Sequence, residues 1–276
     1  MNHNKAYRVA IVLAAGVALC WSARADMLDL SSAGASGWLN GAFFEQISPQ
    51  TTGTGVIRPF VQISSNQAVA HAYNTTVNNT LDVGPSDIFN HELFLSEVPL
   101  TLVPTMNVNG ELYRMFLLDI NEPKNGEARL LSLDEVQIWL SDTPNQGVET
   151  FAGGSATANT GDLLDLADAA LVYQLDSNLT QGNPDNWVLL DYALNEGQGS
   201  GDMFMYIPDS LFDSSAGDYV YLYSRFGENY ANDSGFEEWA VLAEKGGQVV
   251  PEPASFLLLG TGLAVLIVSR KKPAAG

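Results

Sequence analysis

The chain has 276 residues, 46% of them hydrophobic and 16% charged; its 12 Lys and Arg against 32 Asp and Glu leave a formal charge of −20 at pH 7. That acidity argues against a nucleic-acid partner, because a phosphate binder needs a basic patch. One cysteine, Cys20, and three histidines, His3, His71 and His91, leave little for Cys/His nucleophiles or a histidine-rich zinc site.

Lys5 and Arg8 open the chain with positive charge, an apolar run follows from Val9 to Cys20, and Ala23-Arg24-Ala25 supplies a small-x-small cleavage pattern. These three parts predict a secretory signal peptide over residues 1–25, cut before Asp26. An uncleaved membrane helix is the other reading, but a run of 12 residues is short against the roughly 20 that span a bilayer. A lipoprotein cysteine at Cys20 would have Gly, Ala or Ser before it, and Leu19 stands there instead. Cleavage leaves a mature chain without cysteine, so no disulfide staples the fold in an oxidising compartment.

The body is expected over residues 26–248, as one substantial core or two small ones. Between Asp26 and Val250 six basic residues face 31 acids, a net −25. This charge serves solubility outside the cell, or part of it holds Ca²⁺. Nine runs read as strands: Val56 to Ile63, Glu92 to Val103, Leu112 to Ile120, Ser132 to Leu140, Ala170 to Leu175, Val188 to Leu194, Met203 to Ile207, Tyr219 to Tyr223 and Glu238 to Leu242. Several alternate with period two, the mark of half-buried antiparallel strands. Val136, Ile138 and Leu140 share one face, and Glu135, Gln137 and Trp139 the other. The expected class is all-β, an antiparallel β-sandwich with a jelly roll as one form of it. Pro59 places its strand at an edge or on a bulge. Thr160 to Leu175 reads as a helical turn, with Asp162 as cap, or a loop, leading into the strand at Ala170. The Gly/Ala/Thr-rich stretch from Ala152 to Gly161 divides two half-sandwiches or is a long loop.

No Gly-x-Ser-x-Gly elbow, phosphate-binding loop or His-Glu-x-x-His occurs. His71 and His91 read as ordinary loop or strand-end histidines. Asp119 with Glu122, or Asp134 with Glu135, are conceivable pairs for glycoside cleavage, against a default of strand-end solvation. Two loops are candidate calcium sites: Asp176, Asn178 and Asp185 in "LDSNLTQGNPDNW", and Asn232, Asp233 and Glu237 in "GENYANDSGFEEW". Both concentrate the oxygen donors that Ca²⁺ takes, and both are also ordinary turn chemistry. Tyr219, Tyr221 and Tyr223 share a strand face and either stack on sugar rings, form part of the core or pack their rings under a loop.

The tail is "VVPEPASFLLLGTGLAVLIVSRKKPAAG". An apolar run of 15 residues, Ala254 to Val268, predicts a transmembrane helix over about 254–269. Arg270, Lys271 and Lys272 stop transfer and stay inside, so the body lies outside. Pro251 and Pro253 keep an extended peptide just outside the membrane, open to a protease. Val250-Pro251-Glu252-Pro253, the short apolar run with Gly260 and Gly262, and the basic end resemble a PEP-CTERM sorting signal over 249–276. The resemblance implies an exosortase as partner, cutting near the motif in a Gram-negative bacterium that makes exopolysaccharide. An ordinary single-pass anchor is the other reading. "FLLDIN", "LSLDEVQIW", "GSGDMFMYIPDSLF" and "YVYLYSRFG" resemble ectodomains attached to such tails, which implies a secreted β-rich module and no site residues. The expectation is an exported, non-enzymatic envelope or matrix protein, anchored in the inner membrane before processing and associated with exopolysaccharide. A calcium-assisted carbohydrate-binding module and a secreted glycan hydrolase are the alternatives.

Overall fold

The structure, a computed structural model, describes residues 26–47, 57–63, 67–75, 98–108, 110–148, 150–152, 163–176, 186–197, 201–233 and 235–242. Fourteen strands follow in chain order. They are β1 (Met27–Asp29), β2 (Ser36–Leu39), β3 (Ala42–Gln46), β4 (Ile57–Ile63), β5 (Ala70–Tyr73), β6 (Val98–Pro99) and β7 (Thr105–Val108). Then come β8 (Glu111–Asp119), β9 (Leu130–Ser141), β10 (Ala169–Gln174), β11 (Trp187–Asp191), β12 (Met203–Pro208), β13 (Tyr219–Phe226) and β14 (Glu237–Leu242). The described residues are all-β, with only single 3₁₀ turns between strands.

The strands form two seven-stranded sheets. The first runs β1-β11-β9-β13-β5, with β10 also on β9 and β6 also on β13. The second runs β2-β3-β12-β8-β14-β4, with β7 also on β8. All pairings are antiparallel except β1 on β11, which is parallel. Two long strands organise the sheets. β9 pairs along one edge with β13 and along the other with β11 and then β10. β8 pairs with β12 on one side, and with β7 and β14 on the other.

Alternation decides which side chains meet. Phe44, Phe116, Met205 and Trp239 of the second sheet share one buried apolar core with Ile138, Leu140, Val220 and Leu222 of the first. The Trp239 indole donates to Ser224 Oγ at 2.9 Å, tying β14 to β13 across the sheets. Pro59 lies on β4, the end strand of its sheet, where the register with β14 shifts between Trp239 and Ala240. Edge and bulge therefore hold together, because proline has no N–H to give to an inner ladder.

Eight of the nine expected strands are present with shifted ends, while Glu92 to Val103 keeps only the short β6 and a 3₁₀ turn in its described part. Of the helical turn or loop expected before Ala170, the described part is loop: Leu164 makes an isolated bridge with Phe151, and β10 begins at Ala169. Five strands were not anticipated: β1, β2, β3, β5 and β7. β2 and β3 form a hairpin closed by Asn40 and Gly41, at φ 43° and 83°. That is the type I′ turn that Asn-Gly favours, and its signal is legible in the sequence.

Strands half-buried on one face were also expected, and here the first sheet differs. Leu131 to Ser141 are all buried, so both faces of β9 are covered. The cover is the segment after β9. Leu164 N–H donates to Gln137 Oε1 at 3.0 Å, Leu175 N–H to Glu135 Oε1 at 3.2 Å, and Gln146 N–H to Tyr221 Oη at 3.3 Å. Phe151 packs edge-on against Tyr223 at 5.5 Å. Tyr221 and Tyr223 are thus part of the packing under this cover, which removes them as a sugar-stacking platform.

Candidate functional site

No described segment covers the outer face of the second sheet. In register, Trp38 of β2, Phe43 of β3, Tyr206 of β12 and Met115 of β8 stand in one row across four strands. Their inward neighbours Ala42, Phe44 and Met205 are in the core, so alternation turns this row outward. Trp38 and Phe43 lie 5.1 Å apart, Trp38 and Tyr113 6.0 Å, and Phe43 and Tyr206 5.8 Å between ring centroids. With Met106, Val108 and Glu45 they line a groove of about 130 Å³. Trp38 is 58% exposed, the highest value among the large hydrophobic residues of the described chain.

Polar tips sit among these rings. The Tyr206 hydroxyl donates to Glu45 Oε2 at 3.2 Å, and the Tyr113 hydroxyl donates to Glu111 Oε2 at 2.9 Å. Partial burial raises Glu45 above the usual carboxylate range, and the Tyr206 hydrogen bond offsets part of this. Burial and the nearby Glu45 push the Tyr206 phenol up, so it stays protonated and donates. Aromatic faces flanked by a hydroxyl and a carboxylate match the apolar faces and hydroxyl edges of a sugar ring. None of these residues was singled out from the sequence; the hairpin at Asn40-Gly41 followed by the alternation of "AFFEQ" was the available signal.

The residues that were singled out lie elsewhere. Asp134 is buried and accepts from Ser132 Oγ, Glu228 N–H and the Asn229 side-chain amide. Burial pushes it up to about 6, and those hydrogen bonds pull it partly back. Glu135 is buried under the cover of the first sheet; burial and the neighbouring Asp176 hold it well above the ordinary range. Asp119 accepts from Gly201 N–H at 3.0 Å. Strand-end solvation is therefore overturned as the default for these acids: Asp119, Glu122, Asp134 and Glu135 are all buried. His71 is buried against Tyr223, with Nδ1 and Oη 3.2 Å apart. Burial, and then the charge of Arg225, lower it to about 3, so it is neutral. His91 lies outside the described residues.

Of the first calcium loop, Asp176 is buried and accepts from Asn186 N–H at 2.6 Å, while Asn178 and Asp185 lie outside the described residues. Of the second, Asn232 and Glu237 are buried, but Asp233 is exposed. The Asp233 N–H donates to Glu122 Oε2 at 3.1 Å, so its backbone serves the cluster and its side chain does not. Among the described residues no three His, Cys, Asp or Glu side chains converge as a metal-binding group.

No helix among the described residues is long and apolar enough to cross a membrane. The signal over 1–25, the transmembrane run, the motif at Val250, Pro251, Glu252 and Pro253 and the basic stop at Arg270, Lys271 and Lys272 lie outside them. The identification rests on sequence there. A short apolar run with a basic end follows the all-β body. A family model for the PEP-CTERM protein-sorting motif matches residues 249–272, which makes the chain a PEP-CTERM protein by its tail. It is exported, held as a membrane-anchored precursor and processed by an exosortase. No curated protein and no solved structure matches the chain.

Proposed function

We propose that the mature protein is a non-enzymatic component of the cell surface or extracellular matrix, and that it binds exopolysaccharide through the aromatic groove of its second sheet. The observation that carries this reading is Trp38, exposed in an aromatic row with a carboxylate and a phenol beside it. Residues 1–25 are the cleaved signal, 26–248 a β-sandwich of the two sheets, and 249–276 the sorting segment with its helix at about 254–269. The shared core of the two sheets supports the sandwich. The carboxylate pairs considered for hydrolysis are buried away from the groove, whose described lining holds the single carboxylate Glu45. That supports binding over cleavage.

The test is titration of the full-length protein in detergent with purified acidic and neutral exopolysaccharides, read by tryptophan emission, with a parallel assay for new reducing ends. The expected result is a saturable change in emission that Trp38→Ala moves to at least about tenfold higher concentration, with no new reducing ends. Saturable binding of unchanged affinity in Trp38→Ala would move the site elsewhere. New reducing ends would replace the reading with a hydrolase.

A further inference from the structure

We infer that the protein holds a divalent cation of Ca²⁺ chemistry between Glu122, Asn232 and Glu237, where the chain crosses from the first sheet to the second. Glu237 opens β14, and Glu122 follows the end of β8, the neighbour of β14. Asn232 belongs to the loop between β13 and β14, which joins the two sheets. This inference stands apart from the groove.

The backbones bring these residues together. Gly235, at φ 100°, passes so close to Asn121 that a Cβ there would lie 1.7 Å from the Asn121 carbonyl oxygen. Only glycine lets the loop press against the residue before Glu122 in this way. Asp233 N–H reaches Glu122 Oε2, and Asn232 N–H reaches the Ala68 carbonyl at 2.9 Å. Those two anchors fix Asn232 between Glu122 and the start of β14.

The chemistry of the cluster is unusual. Glu237 is 0% exposed, and beyond its own backbone N–H its carboxylate has no hydrogen-bond partner among the described residues. Asn232 is 4% exposed, and its side-chain oxygen and nitrogen have none either. Glu122 is buried nearby, with Oε2 bonded to the Asp233 N–H. Besides burial, the charges that act on Glu237 are the carboxylates of Glu122 and then Glu238. A fully buried carboxylate with like charges beside it is among the costliest arrangements in a protein. A proton shared between Glu122 and Glu237 would satisfy one oxygen of each. It would leave the second Glu237 oxygen and the Asn232 amide oxygen bare.

A hard cation answers all of them together, because Ca²⁺ takes carboxylate, amide and carbonyl oxygens in flexible number. Only two of the ligands are acidic, which explains why no three-acid group converges. Water and backbone carbonyls complete the shell. Bound there, the ion ties the crossing loop to the ends of β8 and β14. Two charged ligands place its affinity at the weak end, with a dissociation constant of roughly 10⁻⁴–10⁻³ M, as in extracellular modules.

The test uses the full-length protein in detergent, stripped with chelator and titrated with Ca²⁺ and, separately, Tb³⁺. Trp239 lies two residues along β14 on the same face as Glu237 and is placed to sensitise Tb³⁺ emission. The expected result is Tb³⁺ emission that Ca²⁺ displaces, and a Tm that Ca²⁺ raises by several degrees at saturating concentration. Glu237→Gln should remove both responses while raising Tm in chelator, because the bare charge is gone. Asn232→Asp, which adds a charged ligand, should tighten Ca²⁺ binding about tenfold and guards against a Gln variant that fails to fold. A wild-type protein with neither Tb³⁺ emission nor a Ca²⁺-dependent Tm overturns the inference. So does a Ca²⁺ response that persists in Glu237→Gln. Loss of this site would leave polysaccharide binding at the groove unchanged, so the two readings fail separately.

Discussion

The outer faces of the two sheets are built from similar residues and put to opposite use. On the first, Trp139, Tyr221 and Tyr223 lie under the segment that follows β9, and the Tyr221 hydroxyl is hydrogen-bonded to it. On the second, Trp38, Phe43, Tyr113 and Tyr206 line a groove that no described segment covers. An aromatic row is therefore not in itself a binding surface. What distinguishes the two is whether chain of the same molecule is available to lie across it. β9 is followed by 27 residues before β10 begins, enough to fold back over the sheet, whereas β2 and β3 are joined by a two-residue turn.

Truncating each face should expose that contrast. The largest effect is expected from Tyr221→Ala. Its ring is 0% exposed and its hydroxyl donates to the Thr143 carbonyl at 2.7 Å, so unfolding by denaturant should show a loss of about 3–5 kcal/mol, as for other large buried aromatics. Polysaccharide binding per folded molecule should be unchanged.

The covered face should also carry the acid sensitivity. His71 is held neutral with a pKa of about 3 against 6.5, so the unfolded chain binds more protons between those values. Its contribution is present above pH 6.5 and is lost as pH falls through about 3, a change on the order of 4 kcal/mol. Relative to wild type, His71→Gln should flatten the acid limb of a Tm-against-pH curve.

Asp134 acts with the opposite sign and a smaller size. Its folded value of about 6 lies above the ordinary 3.8, so its contribution is full below 3.8 and is lost as pH rises through about 6. The change is on the order of 2–3 kcal/mol. Asp134→Asn should remove that downward slope in the same measurement.

The smallest change in stability is expected from Trp38→Ala. The ring is more than half exposed, so denaturant unfolding should shift by no more than about 1 kcal/mol. Polysaccharide affinity should fall at least about tenfold, equivalent to 1.4 kcal/mol. A large stability loss here with unchanged binding would erase the contrast between the faces.

Much of this was legible along the chain. The alternation in "LDEVQIWL" and "DYVYLYS" marks β9 and β13, and Pro59 marks an edge strand with a bulge. The tail is legible because its signal is local: a Pro-Glu-Pro turn, a membrane-length constraint and a basic stop act within 24 matched residues. The Asn40-Gly41 hairpin was equally local and was passed over, because β2 and β3 are short and their apolar residues are interrupted by glycine and asparagine.

The rest depends on partners distant in sequence. The candidate calcium loop "GENYANDSGFEEW" contains Asn232 and Glu237, yet the carboxylate whose charge acts on Glu237 is Glu122, brought in by the pairing of β8 with β14, while Asp233 is exposed. The groove likewise needs residues 38, 43, 113 and 206 in register across separate strands. By itself the sequence determined the all-β class and the sorting of the chain through its tail, since hydrophobic period and short motifs act over a few residues. Only the tertiary structure decided which outer face is covered, which acids are buried together and where the aromatic groove forms, because each of those is set by contacts between segments tens to more than a hundred residues apart.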